Sequence, residues 1–202
     1  MQTTYDKFPE VTVQGYDDQA WQGWESIEAT LNLRASASSR TVLVVDCYPG
    51  VRLDELEQRL LPSLNATRVL NVESARRDQQ ALHDLLARNL TDDRVFGVLS
   101  CHHLEEFFNA DKLQQLRQQV DAVTEGLIVI YGPGAALVHP GDVLVYADMP
   151  RWEIQQRMRH DGLGNWGADN QDEDILRRYK RAFFIEWRVF DRHKTPLLKR
   201  AD

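Results

Sequence analysis

The stretch LIVIYGPGAALVHPGDVLVYADMPRWEIQQRMR, residues 127–159, decides the fold. Leu127–Tyr131 is a short apolar run rich in β-branched residues, and Gly132-Pro133-Gly134 ends it abruptly. A second apolar run, Val143–Ala147, leads through Asp148-Met149-Pro150 into a helix-like segment. Strand, glycine loop, strand and helix in succession are typical of a parallel α/β sheet, which forms binding sites at the carboxyl ends of its strands.

The rest of the chain repeats this alternation. Apolar runs predict three earlier strands, at Thr41–Val45, Thr67–Val72 and Val95–Leu99. Helical spacing of apolar residues predicts helices at Trp21–Leu33, Val51–Leu64, Arg76–Asn89, 111–123, Trp152–Arg159 and Ile175–Val189. Asn109 is the predicted N-cap of the helix 111–123. We therefore expect a three-layer αβα fold with a mostly parallel, five-stranded sheet. Residues 1–35 form an arm and a helix that packs on the body, residues 36–202 form the α/β domain, and the two together form one domain.

Composition and charge exclude several classes of protein. The net charge of −7 argues against a nucleic-acid partner, because general binding to nucleic acid needs a basic footprint. No apolar run reaches the length of a membrane span, and the first ten residues lack the apolar core of a signal peptide. Two cysteines, Cys47 and Cys101, make no disulfide framework. These features predict a cytoplasmic chain without membrane association.

The loop after the first strand, Asp46–Arg52, stands where many nucleotide-binding α/β domains cradle phosphate on backbone amides. A functional phosphate loop reads G-x-x-x-x-G-K-[ST]. With Gly50 as the second glycine, Val45 occupies the position of the first and Val51 that of the lysine. The sequence thus predicts a degenerate phosphate loop, in which Arg52 replaces the lysine only in part. Alternatively, Gly50 is present only for the geometry of a tight turn.

Further candidates follow other strands. Asp46 and Asp148 end strands and are the candidate catalytic residues, although Asp148 is equally suited to cap the next helix. Gly132 and Gly134 either let a ligand approach the backbone or simply make a turn. The loop 162–174 is long enough to suggest a lid or binding loop. His102 and His103 are neighbours, which point in opposite directions on an extended segment, so no metal site is predicted there.

Seven motifs carry a resemblance to a known family. They are YDKFP (5–9), VVDCYPGV (44–51), DDRVFG (92–97), EEFFNADKLQQLR (105–117), IVIYGPGAALV (128–138), DVLVYADMPRWEIQQR (142–157) and YKRAFFIEWRVFDRHK (179–194). They cover nearly the whole chain and resemble the N-terminal half of bacterial two-domain proteins identified as class I mannose-6-phosphate isomerases. This half is itself similar to P-loop kinases of the uridine kinase kind.

The resemblance implies sugar-phosphate metabolism but not isomerisation by this chain. In those isomerases the zinc ligands belong to a cupin domain, which is absent here, so zinc is not expected. The kinase likeness implies ATP with magnesium, or another phosphorylated small molecule, as the ligand. A cupin-type isomerase domain, in cis or in trans, is the implied protein partner. The residues expected to hold the phosphorylated ligand are Tyr48, Gly50, Arg52, Gly132, Gly134, Arg151, Arg157, Lys180, Arg181 and Arg188.

Three functions stay open at this point. The first is a degenerate kinase-like domain that binds a nucleotide or a phosphosugar and assists an isomerase. The second is an active kinase for a nucleoside or sugar, in which Asp46 or Asp148 orients the acceptor hydroxyl. The third is a structural or assembly domain, with Trp21, Trp24 and the aromatic C-terminal segment at an interface.

Overall fold

A computed structural model describes residues 6, 9–16 and 19–201. Four parallel strands form one sheet in the order β2-β3-β1-β4. Their bounds are Arg40–Cys47 (β1), Arg68–Asn71 (β2), Gly126–Gly132 (β3) and Val143–Ala147 (β4). Because β1 lies between β3 and β4, the loop that follows β1 is flanked by the loops that follow both neighbours.

Helices connect the strands and complete the fold. Helix α1 spans Trp24–Ala35, and the connection after β1 consists of α2 (Leu53–Glu55), a π-helical segment Leu56–Leu60 and α3 (Leu61–Ser63). Helices α4 (Gln79–Leu90), α5 (Ala110–Asp121) and α6 (Arg151–His160) follow. The C-terminal helix runs without interruption through α7 (Ile175–Arg181), a π-helical segment Ala182–Glu186 and α8 (Trp187–Leu197). None of the helices among the described residues has the length and apolarity required to cross a membrane.

The sheet separates two apolar clusters, which makes the fold three-layered as expected. Along β1, Val42 and Val44 point into one cluster and Leu43 and Val45 into the other, as the alternation of a strand requires. Helix α1 and the 53–63 connection cover the smaller cluster, whereas α4, α5, α6 and the C-terminal helix cover the larger one. The continuous apolar run at 41–45 is thus buried on both faces.

The predicted five-stranded sheet is wrong by one strand. The segment 95–99 forms no strand and pairs with none among the described residues. Its backbone instead bonds to the end of α4 and to the middle of the C-terminal helix, since Val98 N donates to Asn89 O (2.8 Å) and Ser100 N to Phe184 O (2.8 Å). Its apolar side chains are left partly exposed rather than buried in the core: Val95, Phe96, Val98 and Leu99.

The helix predictions hold apart from their ends. Asn109 was predicted to cap α5, and its side chain accepts a hydrogen bond from Lys112 N (3.0 Å). Trp24 packs against the smaller cluster, while Trp21 remains 45 % exposed. The division into an arm (1–35) and a body (36–202) stays a prediction. Of the predicted arm, Tyr5 and Phe8 lie outside the described residues.

Candidate functional site

The loops after β1, β3 and β4 meet at the carboxyl edge of the sheet. Asp46 is the register partner of Gly132 on one side, and Cys47 is that of Ala147 on the other. The strands therefore bring the first predicted catalytic residue next to the Gly-Pro-Gly loop. This edge is where parallel α/β sheets place their ligands.

Asp46 is fully buried, and both of its carboxylate oxygens are engaged by the protein. Oδ2 accepts a hydrogen bond from Ala136 N (2.8 Å) and lies 2.9 Å from His193 Nε2. Oδ1 accepts a longer hydrogen bond from Gly134 N (3.3 Å). Asp46 thus joins β1 to the loop after β3 and to α8.

The loop Asp46–Arg52 is a tight turn packed against α6. Gly50 has a φ of +97°, and a Cβ built on it would lie 2.9 Å from Ile154 Cγ1. Arg157 Nη1 donates to Gly50 O (3.0 Å), and Val51 N donates to Tyr48 O (3.2 Å). Ile154 therefore occupies the space where a Cβ of Gly50 would lie, and Arg157 binds its carbonyl oxygen.

The Gly-Pro-Gly loop is packed in the same way. Gly134 has a φ of +90°, and a Cβ there would lie 3.1 Å from the Phe108 ring and 3.2 Å from Leu104. Beside it, a Cβ on Gly132 would approach Val72 Cγ1 to 3.1 Å. Both glycines allow the chain to turn while side chains of the larger cluster press against the backbone.

Asp148 belongs to a network of charges along α8. It accepts hydrogen bonds from Lys194 Nζ (3.1 Å) and is half exposed. Lys194 Nζ also lies 4.5 Å from the centre of the Tyr48 ring. The expectation that Asp148 caps α6 is wrong, since the N-cap position is Pro150 and Asp148 instead bonds Met149 N and Lys194. Asp148 lies two positions before the N-cap of α6, and its carboxylate pairs with Lys194 of the distant helix α8.

Tyr48 and Arg151 converge on Asp191, the carboxylate of α8, which was not a predicted site residue. Tyr48 Oη donates to Asp191 Oδ1 (2.9 Å), and Arg151 forms an ion pair with Asp191 Oδ2. Burial, reinforced by the Asp191 carboxylate, raises the pKa of the Tyr48 hydroxyl. Tyr48 is therefore a neutral hydrogen-bond donor at neutral pH.

The other predicted phosphate-binding cations all have partners in the protein. Arg52 pairs with Asp161 (2.7 Å) and Arg157 with Glu153 (2.9 Å). Further along, Lys180 donates to backbone carbonyls of 91 and 93, Arg181 pairs with Glu186, and Arg188 donates to Phe183 O. Arg52 and Arg157 lie at the loop after β1 but are engaged in ion pairs, whereas Lys180, Arg181 and Arg188 lie on the C-terminal helix.

A small cavity of about 180 Å³ adjoins that loop. Pro49–Val51, Pro133 and residues 163–166 contribute to its wall. Its charged lining residues are Glu73 and Glu186, and no lysine or arginine lines it within the described chain. Electrostatics at this cavity therefore favour a neutral or cationic group over an anion.

Both glutamates of the cavity are compensated by the protein. Glu73 accepts from Trp166 Nε1 (2.7 Å) and pairs with Arg76 (2.9 Å). Glu186 accepts from Asn165 Nδ2 (3.1 Å) and pairs with Arg181 (3.3 Å). Burial nevertheless raises the pKa of each carboxyl above its ordinary value, because desolvation outweighs these favourable contacts.

A pH-dependent stability follows from Glu73. Its raised pKa means that the native state holds the proton more tightly than the unfolded chain, so this carboxyl lowers the unfolding free energy as the pH rises above 4.5. Glu73→Gln cannot titrate there and keeps an acceptor for Trp166. We expect the variant to gain stability relative to the wild type between pH 4.5 and neutrality, measured by urea unfolding. A difference in unfolding free energy between the two proteins that stays constant across that interval would contradict the raised pKa of Glu73.

A larger cleft of about 800 Å³ lies between α4, the loop 168–173 and α7. Gln79 and His83 line it from α4, and Asp169 and Asp172 from the loop. Arg177 lines it from α7 and is exposed, and its guanidinium makes no hydrogen bond or ion pair to any described residue. The cleft is thus polar, with carboxylates and one unengaged guanidinium.

The loop 162–174, predicted to be a lid or binding loop, is partly built into the body. Asn165 is 3 % exposed and donates to Arg178 O (3.1 Å) as well as to Glu186. Asn170 Nδ2 donates to Asn165 Oδ1 (2.9 Å), which ties the outer half of the loop to the inner half. Only the outer half, residues 168–173, forms a wall of the cleft.

The histidines His102 and His103 and the cysteine Cys47 make contacts within the protein. His102 Nδ1 lies 2.8 Å from Glu106 Oε2, and His103 N donates to Glu106 Oε1 (2.7 Å). Throughout the described residues, no group of three or more His, Cys, Asp or Glu side chains is arranged to hold a metal. Burial and the neighbouring Asp46 carboxylate raise the pKa of the Cys47 thiol to about 12, so this cysteine is not a thiolate at neutral pH.

The profile of one protein family matches residues 23–202, and that family is described as "Domain of unknown function (DUF8485)". The chain belongs to the DUF8485 family. No sequence among the curated proteins matches it.

One solved structure links this DUF8485 member to kinases by fold. The crystal structure of a "putative fructose transport system kinase" from Silicibacter sp. TM1040 superposes with a TM-score of 0.54 at 16 % identity. The match covers 85 % of this chain and 95 % of the other. The kinase-like α/β fold with a parallel sheet is thereby confirmed. Neither match is to a mannose-6-phosphate isomerase, so that association stays a prediction.

Sequence reasoning did not identify His193, Glu73 or Trp166 as site residues of this family member. His193 lies 147 positions from Asp46 in the sequence. No local pattern of residues predicts a contact between positions so far apart in the sequence. The aromatic Trp166 in a Gly- and Asn-rich loop was the one available signal, because a large apolar side chain in a polar loop usually packs inward.

Proposed function

We propose that the chain is a kinase-fold binding domain for a phosphorylated sugar and that it does not transfer phosphoryl groups. One observation carries the proposal: the loop after β1 is closed around protein side chains, with Gly50 against Ile154 and Asp46 engaged on both oxygens. Phosphate cradles need open backbone amides and nearby cations. At this loop Val51 N is already bonded to Tyr48 O, and the nearby cations Arg52 and Arg157 are already paired with Asp161 and Glu153.

The residues at the loop do not fit a nucleotide triphosphate with magnesium. The adjoining cavity of about 180 Å³ is smaller than ordinary small-molecule sites, which span roughly 300–1,000 Å³. Its charged lining residues are Glu73 and Glu186, so the described lining offers no cation to phosphate. Arg52, the nearest substitute for a phosphate-gripping lysine, is paired with Asp161. We therefore propose no phosphoryl transfer by this chain.

The cleft beside α7 is the better place for a ligand. Its volume of about 800 Å³ accommodates a hexose phosphate. Arg177 offers a charge-assisted contact to phosphate, while Asp169, Asp172 and Gln79 offer partners to sugar hydroxyls. Phe, Tyr and Trp are missing from its described lining, which argues against stacking of a nucleotide base.

The isomerase-like motifs supply the chemical context. They favour mannose 6-phosphate among the hexose phosphates and a cupin-type isomerase domain, in cis or in trans, as the protein partner. Such a domain would carry the zinc chemistry, and the present chain would contribute ligand binding. Co-elution of the full chain with a purified cupin-type isomerase tests the partner independently of the ligand.

Arg177→Ala is expected to weaken binding of mannose 6-phosphate by about 10- to 100-fold, the loss of one hydrogen bond to a charged group. Calorimetry and ligand-induced shifts in melting temperature measure it, since a ligand stabilises the native state by mass action. Arg59→Ala is the matched control, because Arg59 is equally exposed and lies on the opposite face of the sheet.

Several outcomes would contradict this proposal. Absence of binding by mannose 6-phosphate at millimolar concentration removes the proposed ligand, and an equal loss in the Arg59→Ala control removes the proposed cleft. Consumption of ATP with magnesium in the presence of any member of a panel of sugars and nucleosides would instead establish the active kinase. That alternative draws its support from the kinase-like neighbour.

A further inference from the structure

An apolar groove lies next to the cleft, and Lys180 lines both. It has a volume of about 350 Å³ and is lined by Phe96, Tyr179, Phe183, Phe184 and Trp187, and we call it the aromatic groove. Phe96 is 69 % exposed and Phe183 43 % exposed. Proteins that act as monomers seldom leave contiguous apolar surface of this kind uncovered.

The aromatic groove continues into the segment that was predicted to be a strand. Val98 and Leu99 are also about half exposed, although their apolar run is typical of a buried segment. These apolar side chains are therefore not buried within a single copy of the chain. A partner that covers them would remove them from solvent.

Basic side chains surround the groove. Lys180 is its one charged lining residue. The guanidinium of Arg188 lies 4.8 Å from the centre of the Phe183 ring, and that of Arg159 lies 5.4 Å from the Tyr179 ring. An apolar floor beneath cations favours an occupant that is both apolar and acidic.

The chain itself contains such an occupant. The N-terminal segment, residues 9–16, exposes Val11 (84 %), Val13 (64 %) and Tyr16 (58 %). Val11 and Val13 are two residues apart, so an extended backbone directs both side chains to one side. The first 20 residues contain four acidic side chains and one basic side chain. The segment and the groove thus match in apolarity and are opposite in charge.

The topology favours a second copy over the same copy. The N-terminal segment leads into α1, which packs on the smaller cluster, whereas the aromatic groove belongs to helices on the opposite face of the sheet. Within one copy, the segment would have to pass around the sheet edge to reach the groove. Between two copies, each segment meets the partner's groove without that detour.

We propose that two copies of this chain associate by laying the N-terminal segment of each into the aromatic groove of the other. The contact is reciprocal, as a two-fold symmetric dimer requires. It covers Val11 and Val13 together with Phe96 and Phe183. The interface and the sugar-phosphate cleft share the lining residue Lys180, but the substitutions that test the interface lie outside the cleft.

Light scattering on the full chain over a concentration series tests the association. The expected mass rises from 23.4 kDa toward twice that value. Val13→Asp and Phe96→Asp each bury a charge in the contact and are expected to raise the dimer dissociation constant at least about tenfold. Both positions are largely exposed in one copy, so neither substitution disturbs the core. Leu33→Asp, at an exposed apolar position of α1, is the control that leaves the dimer intact.

Mixing the two variants gives the sharper test. A mixed dimer retains one contact between an unaltered segment and an unaltered groove, which each single-variant dimer lacks. We therefore expect the mixture to associate more tightly than either variant alone. A monomer at every concentration, a mixture that does not recover association, or a Leu33→Asp chain that dissociates like Phe96→Asp would each overturn the proposal.

Discussion

Asp46→Ala is expected to lower the free energy of unfolding by about 3–5 kcal/mol, because it leaves several buried donors without an acceptor, each at a cost of roughly 1–3 kcal/mol. The alanine would leave Ala136 N and Gly134 N without an acceptor and His193 without its partner, all within hydrogen-bonding distance of the buried carboxylate. In a chain of this size, such a loss corresponds to a fall in melting temperature of roughly 6–20 °C. Urea and thermal unfolding measure it directly.

Asp148→Ala is the matched control for Asp46→Ala. Both aspartates end strands and both are candidate catalytic residues, but Asp148 is half exposed and its pair with Lys194 is open to solvent. Exposed ion pairs contribute at most about 1 kcal/mol, so the control should remain close to the wild type. Asp46→Asn, which keeps one acceptor oxygen, should lie between the two. An Asp46→Ala chain as stable as the wild type would reject the anchoring role and return Asp46 to the list of catalytic candidates.

Arg181→Ala is expected to cost a similar 3–5 kcal/mol at neutral pH, because it leaves a buried carboxylate without its charge partner. Glu186 is 3 % exposed, and the substitution leaves Asn165 as its one remaining side-chain donor among the described residues. Arg181 also donates to Trp166 O (3.1 Å), a bond that is lost as well. Chemical unfolding at neutral pH measures the loss.

The deficit of Arg181→Ala should shrink in acid. Burial already raises the pKa of Glu186, and the positive charge of Arg181 opposes that rise. Without Arg181 the native pKa rises further, so the native state of the variant binds its proton more tightly and loses more stability as the pH climbs above 4.5. Unfolding measured at pH 4.5 and at neutrality should show the smaller deficit at the lower pH.

Arg188→Ala is the control for the pairing of Arg181 with buried Glu186. Arg188 was predicted alongside Arg181 to hold the ligand, but it is only partly buried and stacks on Phe183. Its removal should cost less than about 1 kcal/mol, the range of an exposed cation–π contact. Equal deficits in the two variants, or a deficit of Arg181→Ala that does not change with pH, would contradict the buried-pair assignment.

Local patterns predicted most of the secondary structure. The continuous apolar run at 41–45 indicated a doubly buried strand, and Asn109 indicated the start of α5, because strand burial and helix capping depend on residues close in sequence. The run at 95–99 had the same composition as a core strand and still did not join the sheet. Composition favours an extended, apolar segment but does not supply a neighbouring strand with free hydrogen-bonding groups.

The candidate site was predictable in position but not in its contacts. Gly50, Gly132 and Gly134 were identified as turns at strand ends, and all three have positive φ angles there. That Ile154 covers Gly50 and Phe108 covers Gly134 could not be inferred from spacing, because both side chains come from elements distant in sequence. The same applies to His193 beside Asp46 and to Asp191 between Tyr48 and Arg151.

By itself, the sequence determined the alternation of strands and helices, the glycine turns at the carboxyl edge and the absence of a lysine from the loop after β1. These properties reside in neighbouring residues and in chain periodicity. Only the tertiary structure decided which charges neutralise one another, which side chains close the loop Asp46–Arg52 and which cleft stays open. Those outcomes depend on distances between segments far apart in the chain, and electrostatic and packing energies change over a few ångströms.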